Sequence, residues 1–187
     1  MNIFPGGESW IAKLTPEVQE EVLSVMAYRE YSHGEIIYSQ HDECDVLFQV
    51  ERGHVKLSHV SPDGKEIVYT IMAPGSCFGE MGLIDGVPRM TNAVADGATR
   101  LRTLKRADFD ALRKRNQEIT DTLLLFVAHR LRLSFSFIQE IAFFSLRQRL
   151  ARRIHIFAEV YGEKSEQGVE FVNTLSQEEL GKFLGAS

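Results

Sequence analysis

The chain has 187 residues, of which 44% are hydrophobic and 25% charged, with a net charge of −5. That length can bury the core of one large or two small domains, and no apolar run approaches the roughly 18 residues of a membrane span. Met1–Trp10 lacks the basic-then-apolar order of a secretory leader, and Cys44 and Cys77 are too few and too far apart for a zinc cluster or a disulfide framework. A cytoplasmic protein with reduced thiols and no membrane contact is expected. The charge is uneven: residues 1–97 hold 6 Lys/Arg against 15 Asp/Glu (−9), and residues 98–187 hold 15 against 11 (+4). An acidic front half and a basic back half suit a sensor joined to something that meets an anion.

In chain order, Thr15 and Pro16 open a short helix over Pro16–Met26, with Thr15 as its cap and proline at its first position. Short β-rich runs follow at Glu35–Tyr38, Val46–Val50, His54–Val60, Glu66–Met72, Asn92–Ala95 and Arg100–Leu104. Turn signals break them at Arg52-Gly53, Pro62-Asp63-Gly64, Pro74-Gly75 and Asp85-Gly86. Val55, Leu57 and His59 alternate with Lys56 and Ser58, as in a strand with one buried face. Pro62-Asp63-Gly64 reads as the hairpin turn after it. Many short strands at even spacing predict a sandwich or barrel.

The stretch Pro74-Gly75-Ser76-Cys77-Phe78-Gly79-Glu80 continues through Met81–Gly86 to Val87-Pro88-Arg89. It reads as a strand end, a glycine turn, one helical turn and a loop ending in arginine. Gly79 allows close backbone approach to a ligand, and successive N–H groups in such a turn can hold an anion. Arg89 supplies a fork for phosphate, while Glu80 can accept from a sugar hydroxyl or simply pair with Arg89.

Beyond about residue 107 the period becomes helical, and Asn116–Ser145 contains neither Gly nor Pro. Leu124, Val127, Leu131, Ser134, Ile138 and Ile141 recur at three and four residues, the seam of a coiled coil. Leu123, Phe126, Leu133 and Phe137 form a second apolar row. A helix apolar on two faces is packed on both, here against the barrel and against an identical helix, so a homodimer is expected. Leu146–Val160 is a further helix whose Arg147, Arg149, Arg152 and Arg153 read as a solvated face. Val169–Val172 reads as a strand, Ser176 and Glu179 as a capping box with a Leu175/Leu180 staple, and Gly185 as the stop of the last helix. The fold class is α+β.

Phe78-Gly79-Glu80 followed by Pro88-Arg89 resembles the phosphate-binding cassette of cyclic-nucleotide-binding domains. With the glycine-punctuated strands (Gly34, Gly53, Gly64, Gly75), the dimer helix and the start of a helix-turn-helix, about Tyr31 to Ser187 resembles the cyclic AMP receptor protein/fumarate-nitrate regulator superfamily of bacterial transcription factors. The resemblance implies an N-terminal β jelly-roll over residues 1–115, a long dimerisation helix over 116–145 and a winged helix-turn-helix over 146–187. It implies cyclic AMP or a related cyclic nucleotide as effector. The implied contacts are Phe78, Gly79, Glu80, Met81, Arg89, Met90, Thr91, Ser134 and Phe135, with Gly79 and Glu80 on the ribose and Arg89 on the cyclic phosphate. The purine would approach the dimer helix at Ser134 and Phe135. DNA is the implied partner of the full-length parent. Here Ser176, Gln177 and Ser187 would make phosphate contacts at most, because the recognition helix should begin where the sequence stops.

Four positions depart from the pattern, one of them Gly181, where a small Ala is expected at the crossing of the last two helices. Met90 stands where Ser or Thr normally follows the arginine, and Thr91 would point to the opposite face of a strand. Phe135 replaces a hydroxyl residue, and His41 occupies a turn position usually held by Gly. A stand-alone cyclic-nucleotide-binding module is one alternative. A haem-based gas sensor is another, with Cys77, His33, His41, His54, His59 or His129 as conceivable ligands. An iron–sulfur sensor would need several N-terminal cysteines, and residues 1–43 contain none. Without a nucleophile beside a base, or a cluster of metal ligands, neither an enzyme nor a metal site is expected.

Overall fold

In a computed structural model of the chain, residues 9–165, 168–171 and 177–184 are described. Six strands form one antiparallel sheet: β1 (Ala27–Tyr31), β2 (Ile36–Tyr38), β3 (Val46–Val60), β4 (Glu66–Met72), β5 (Cys77–Phe78) and β6 (Asn92–Lys105). The order is β1-β6-β3-β4, with β2 also on β6 and β5 also on β3. The helices are α1 (Pro16–Ser24), α2 (Met81–Asp85), α3 (Arg106–Arg115), α4 (Gln117–Phe143), α5 (Leu146–Tyr161) and α6 (Gln177–Leu184). A hairpin of β7 (Gly162–Ser165) and β8 (Gly168–Phe171) lies between the last two, so the fold is α+β.

Two pairs of expected strands are single strands. Val46–Val50 and His54–Val60 join into β3, because Arg52-Gly53 is a bulge and not a turn. Arg52 pairs with Arg100 and His54 with Asp96, so the ladder continues while its register shifts. Gly53 sits at φ +80, and a Cβ there would lie 2.5 Å from the Ala98 carbonyl oxygen. Asn92–Ala95 and Arg100–Leu104 likewise join into β6. The bent β3 and β6 serve both halves of the barrel: β6 pairs with β1 and β2 along one edge, and β3 with β4 and β5 along the other. The exposed edge strand β1 and the two-residue β5 carry too little alternation to be read from sequence.

The barrel interior is aromatic and aliphatic, built on Phe48, Val50, Val55, Leu101 and a Phe48–Phe78 stack at 5.2 Å. A second core joins the barrel to its helices through Trp10, Ile11, Val22, Phe109, Ile119 and Phe126. The first helix is two residues shorter than expected, and Thr15 does not cap it. Its N–H and hydroxyl instead donate to the two oxygens of Glu118, at 2.6 and 2.8 Å, tying α1 to the start of α4.

Along α4, Leu123, Phe126 and Leu133 of the second apolar row are buried, Leu123 and Phe126 within the core that joins the helices to the barrel. The first half of the seam faces away, with Leu124 69% and Leu131 55% exposed in the single chain. Ser145 caps α5 in a reciprocal box with Gln148. Of the α5 arginines, Arg147 is exposed as expected, whereas Arg149, Arg152 and Arg153 are not a solvated face. Arg149 donates to the Leu184 carbonyl at 3.0 Å and Arg153 to that of Phe183 at 3.1 Å, satisfying the open carbonyls at the end of α6. Arg152 and Arg153 also flank buried Glu140 of α4, at 3.5 and 3.7 Å.

Helix α6 packs on β4. Phe183 meets Phe157 edge-on at 4.6 Å and joins Val68 and Ile71 in one cluster, while Lys182 pairs with Glu66 at 3.4 Å. Burial pushes the Glu66 carboxyl up, but Ser58, Lys56 and Lys182 outweigh it and hold it below its usual value.

Candidate functional site

The cassette is anchored from below. Strand β5 pairs Phe78 with Phe48, the chain turns at Gly79 with φ +80, and α2 ends at Gly86 in the left-handed conformation. Arg106, at the start of α3, donates to the carbonyls of Cys44 (2.6 Å), Gly82 (2.7 Å) and Leu83 (3.1 Å). Its guanidinium thus bolts α2 to the barrel wall. The backbone of Arg89 is clamped in the same way: its N–H donates to the Asp42 carbonyl and its own carbonyl accepts from His41, both at 2.8 Å. His41 adopts φ 73, the left-handed conformation its turn demands although it is not glycine.

Glu80 and Arg89 do not pair. Arg89 is 6% exposed and donates to the Gly79 carbonyl at 2.9 Å and to the Val46 carbonyl. Its guanidinium carbon lies 4.2 Å above the Tyr38 ring, a cation–π contact. Glu80, 1% exposed, takes Arg130 of α4 instead, at 2.6 Å, and Arg130 also donates to the Cys77 carbonyl at 2.6 Å. A guanidinium stacked on Phe126 at 4.3 Å is in place to do this. Of Glu80's two carboxylate oxygens, Oε2 is buried without a hydrogen-bond partner among the described residues. A buried acceptor left open strongly favours a donor.

Above these groups lies a cavity of about 400 Å³, within the size range of small-molecule sites. Phe78, Gly79, Glu80, Met81, Arg89, Met90, Thr91 and Ser134 all line it. Phe135 does not: it is 57% exposed and outside the lining, because adjacent positions on a helix face different ways. The strand argument against Thr91 also fails. Strand β6 begins only at Asn92, so Met90 and Thr91 lie in a bend and both reach the cavity. Ser134 is no open donor, as its hydroxyl donates to the Arg130 carbonyl at 3.0 Å.

Sequence reading missed Tyr38, Tyr69, Thr70, Phe137 and Arg130 on the cavity wall. Arg130 carried a usable signal: a charge one helical turn before Ser134 within an apolar row. Tyr38 carried none. Burial pushes its phenol up to about 12, against a hydrogen bond from Thr91 that lowers it. Cys77 is fully buried beside Ser9, and burial pushes its thiol up to about 11.

Strand β4 has the cavity on one face and α6 on the other. The ladder to β3 slips at Tyr69, so Val68 and Ile71 share the face that meets α6 while Thr70 and Met72 line the cavity. Of the residues assigned to DNA, Gln177 is the exposed first residue of α6, whereas Ser176 and Ser187 lie outside the described residues. The Ser176–Glu179 capping box and Gly185 also fall partly or wholly outside them. Among the described residues no helix is long and apolar enough to cross a membrane.

Residues 28–116 match the family model of the cyclic nucleotide-binding domain. A CRP-like cAMP-activated global transcriptional regulator of Mycobacterium tuberculosis is 31% identical, over 99% of this chain and 80% of that protein. The solved catabolite activator protein of Thermus thermophilus is 30% identical with a TM-score of 0.66, covering 96% of this chain and 81% of its own. A c-di-GMP-responsive global regulator of Xanthomonas campestris shares the fold at 20% identity, with a TM-score of 0.75 over 92% of this chain and 86% of that one. Cassette, long helix and sequence relationship agree, and the chain belongs to the cyclic AMP receptor protein/fumarate-nitrate regulator superfamily of effector-responsive transcription regulators.

Proposed function

We propose that this chain is a homodimeric, DNA-binding regulator, not an enzyme, whose effector is cyclic AMP bound in the cavity under the cassette. The observation that carries the reading is the open Oε2 of buried Glu80 in the same apolar cavity as Arg89. A ribose 2′-hydroxyl is the donor Glu80 lacks. Arg89 would exchange neutral carbonyl acceptors for a phosphate anion, whose charge-assisted bonds are about twice as strong. The purine would lie against Phe137 and Ile138 of α4. One observation speaks for this reading over a haem sensor: burial pushes the Cys77 thiol up to about 11, away from the thiolate form that binds iron. Helices α5 and α6 favour a regulator over a stand-alone binding module.

Signal transfer would use the two elements shared by cavity and output. Arg130 links Glu80 to α4, and β4 carries the cavity on one face and α6 on the other. An effector that alters either shifts the balance between arrangements of the output segment. Calorimetric titration with cyclic AMP, and with cyclic GMP beside it, tests the reading. Micromolar binding of cyclic AMP is expected, and no heat from either up to millimolar concentration overturns it. For the dimer, Leu131→Asp places a charge in the middle of the seam. Sedimentation should show a dimer at micromolar concentration that this substitution converts to monomer.

A further inference from the structure

A cyclic phosphate spreads one negative charge over two exocyclic oxygens, more acceptor capacity than a single guanidinium fork saturates. Met90, beside Arg89, cannot help: its thioether has no proton to donate, and its side chain is largely exposed. Among the hydroxyl residues of the cavity wall, Tyr38 and Thr91 are the ones placed by Arg89: the Tyr38 ring lies under its guanidinium and Thr91 follows it by two positions. Each carries a hydroxyl proton that an anion can accept. Tyr38 is well fixed for this. It pairs with Ala93 in the ladder, sits between Phe48 (5.8 Å) and Phe78 (6.2 Å), and lies under the Arg89 guanidinium. Burial keeps the phenol protonated, hence a donor, throughout the neutral range.

We infer that the Tyr38–Thr91 hydroxyl pair is a phosphate-binding element of this site, with Tyr38 donating to the effector's cyclic phosphate beside Arg89. The inference rests on the cyclic-nucleotide reading above. It makes Tyr38 a binding residue whose ring positions the arginine and whose hydroxyl meets the same anion.

The test titrates cyclic AMP and adenosine, which has no phosphate, into the full chain and into Tyr38→Phe. The substitution keeps the ring and its contact with Arg89 and removes only the hydroxyl. Affinity for cyclic AMP should fall about tenfold, with adenosine binding and the thermal midpoint unchanged. Adding Met90→Ser to Tyr38→Phe should recover much of the loss, since serine restores a hydroxyl next to Arg89. Equal cyclic AMP affinity in wild type and Tyr38→Phe overturns the inference and leaves the cyclic-nucleotide reading standing. An equal loss for adenosine also overturns it, by placing the hydroxyl away from the phosphate. Absence of cyclic AMP binding by the wild-type chain refutes that reading, and this inference with it.

Discussion

Glu140→Ala should destabilise the chain by about 3 kcal/mol and free α5 and α6 from the end of α4. Glu140 is buried, with Arg153 on one side and partly exposed Arg152 on the other. Burial pulls the Arg153 guanidinium down from its usual value, and the Glu140 carboxylate pushes it back up. Removing the carboxylate leaves Arg153 as a buried cation with the Phe183 carbonyl and the Phe137 ring as partners among the described residues. Breaking one side of a buried pair costs about 3–5 kcal/mol. The lower end applies here, because contacts of 3.5 and 3.7 Å are long and Arg152 is solvent-screened. Urea unfolding gives the energy, and hydrogen exchange should show α6 amides losing protection before those of β3 and β6.

Gly79→Ala should harm stability and effector binding together. At φ +80 a side chain costs about 1–2 kcal/mol. The added Cβ would also stand 2.6 Å from Arg89 Nη1, so the guanidinium must leave its present seat. A loss of about 3–6 °C in thermal midpoint is expected for a chain of this size, along with at least a tenfold loss of cyclic AMP affinity. Gly53→Ala is the matched control. Its strain falls on the Ala98 carbonyl at the bulge of β3, away from the cavity lining, so it should lower the midpoint and leave affinity unchanged.

What was legible in the sequence depended on local backbone demands. Gly64 and Gly79 announce themselves because their left-handed backbone excludes most other residues, and the order of cassette elements follows from that. The same reasoning failed at Arg52-Gly53, since a left-handed glycine suits a bulge as well as a turn and only the partner strand decides. The seam of α4 was legible as a period, and its exposed side follows once Leu123 and Phe126 take the barrel.

Charge pairing was not legible. Glu80 and Arg89 are nine positions apart in the cassette, yet Glu80 bonds Arg130, 50 positions away, because both are buried where α4 crosses the cassette. Arg149, Arg152 and Arg153 were misread for a related reason: the carbonyls and the carboxylate that bind them come from α6 and α4.

In the proposed function, Arg89 and the cassette cavity form the cyclic-nucleotide site. Calorimetric titration of cyclic AMP into Arg89→Ala beside the wild-type chain, both verified as folded by circular dichroism, tests it most directly. Loss of one partner from a buried, charged hydrogen-bonded contact costs about 2–5 kcal/mol, so affinity should fall by about thirtyfold or more. Equal affinity in the two proteins would contradict the account.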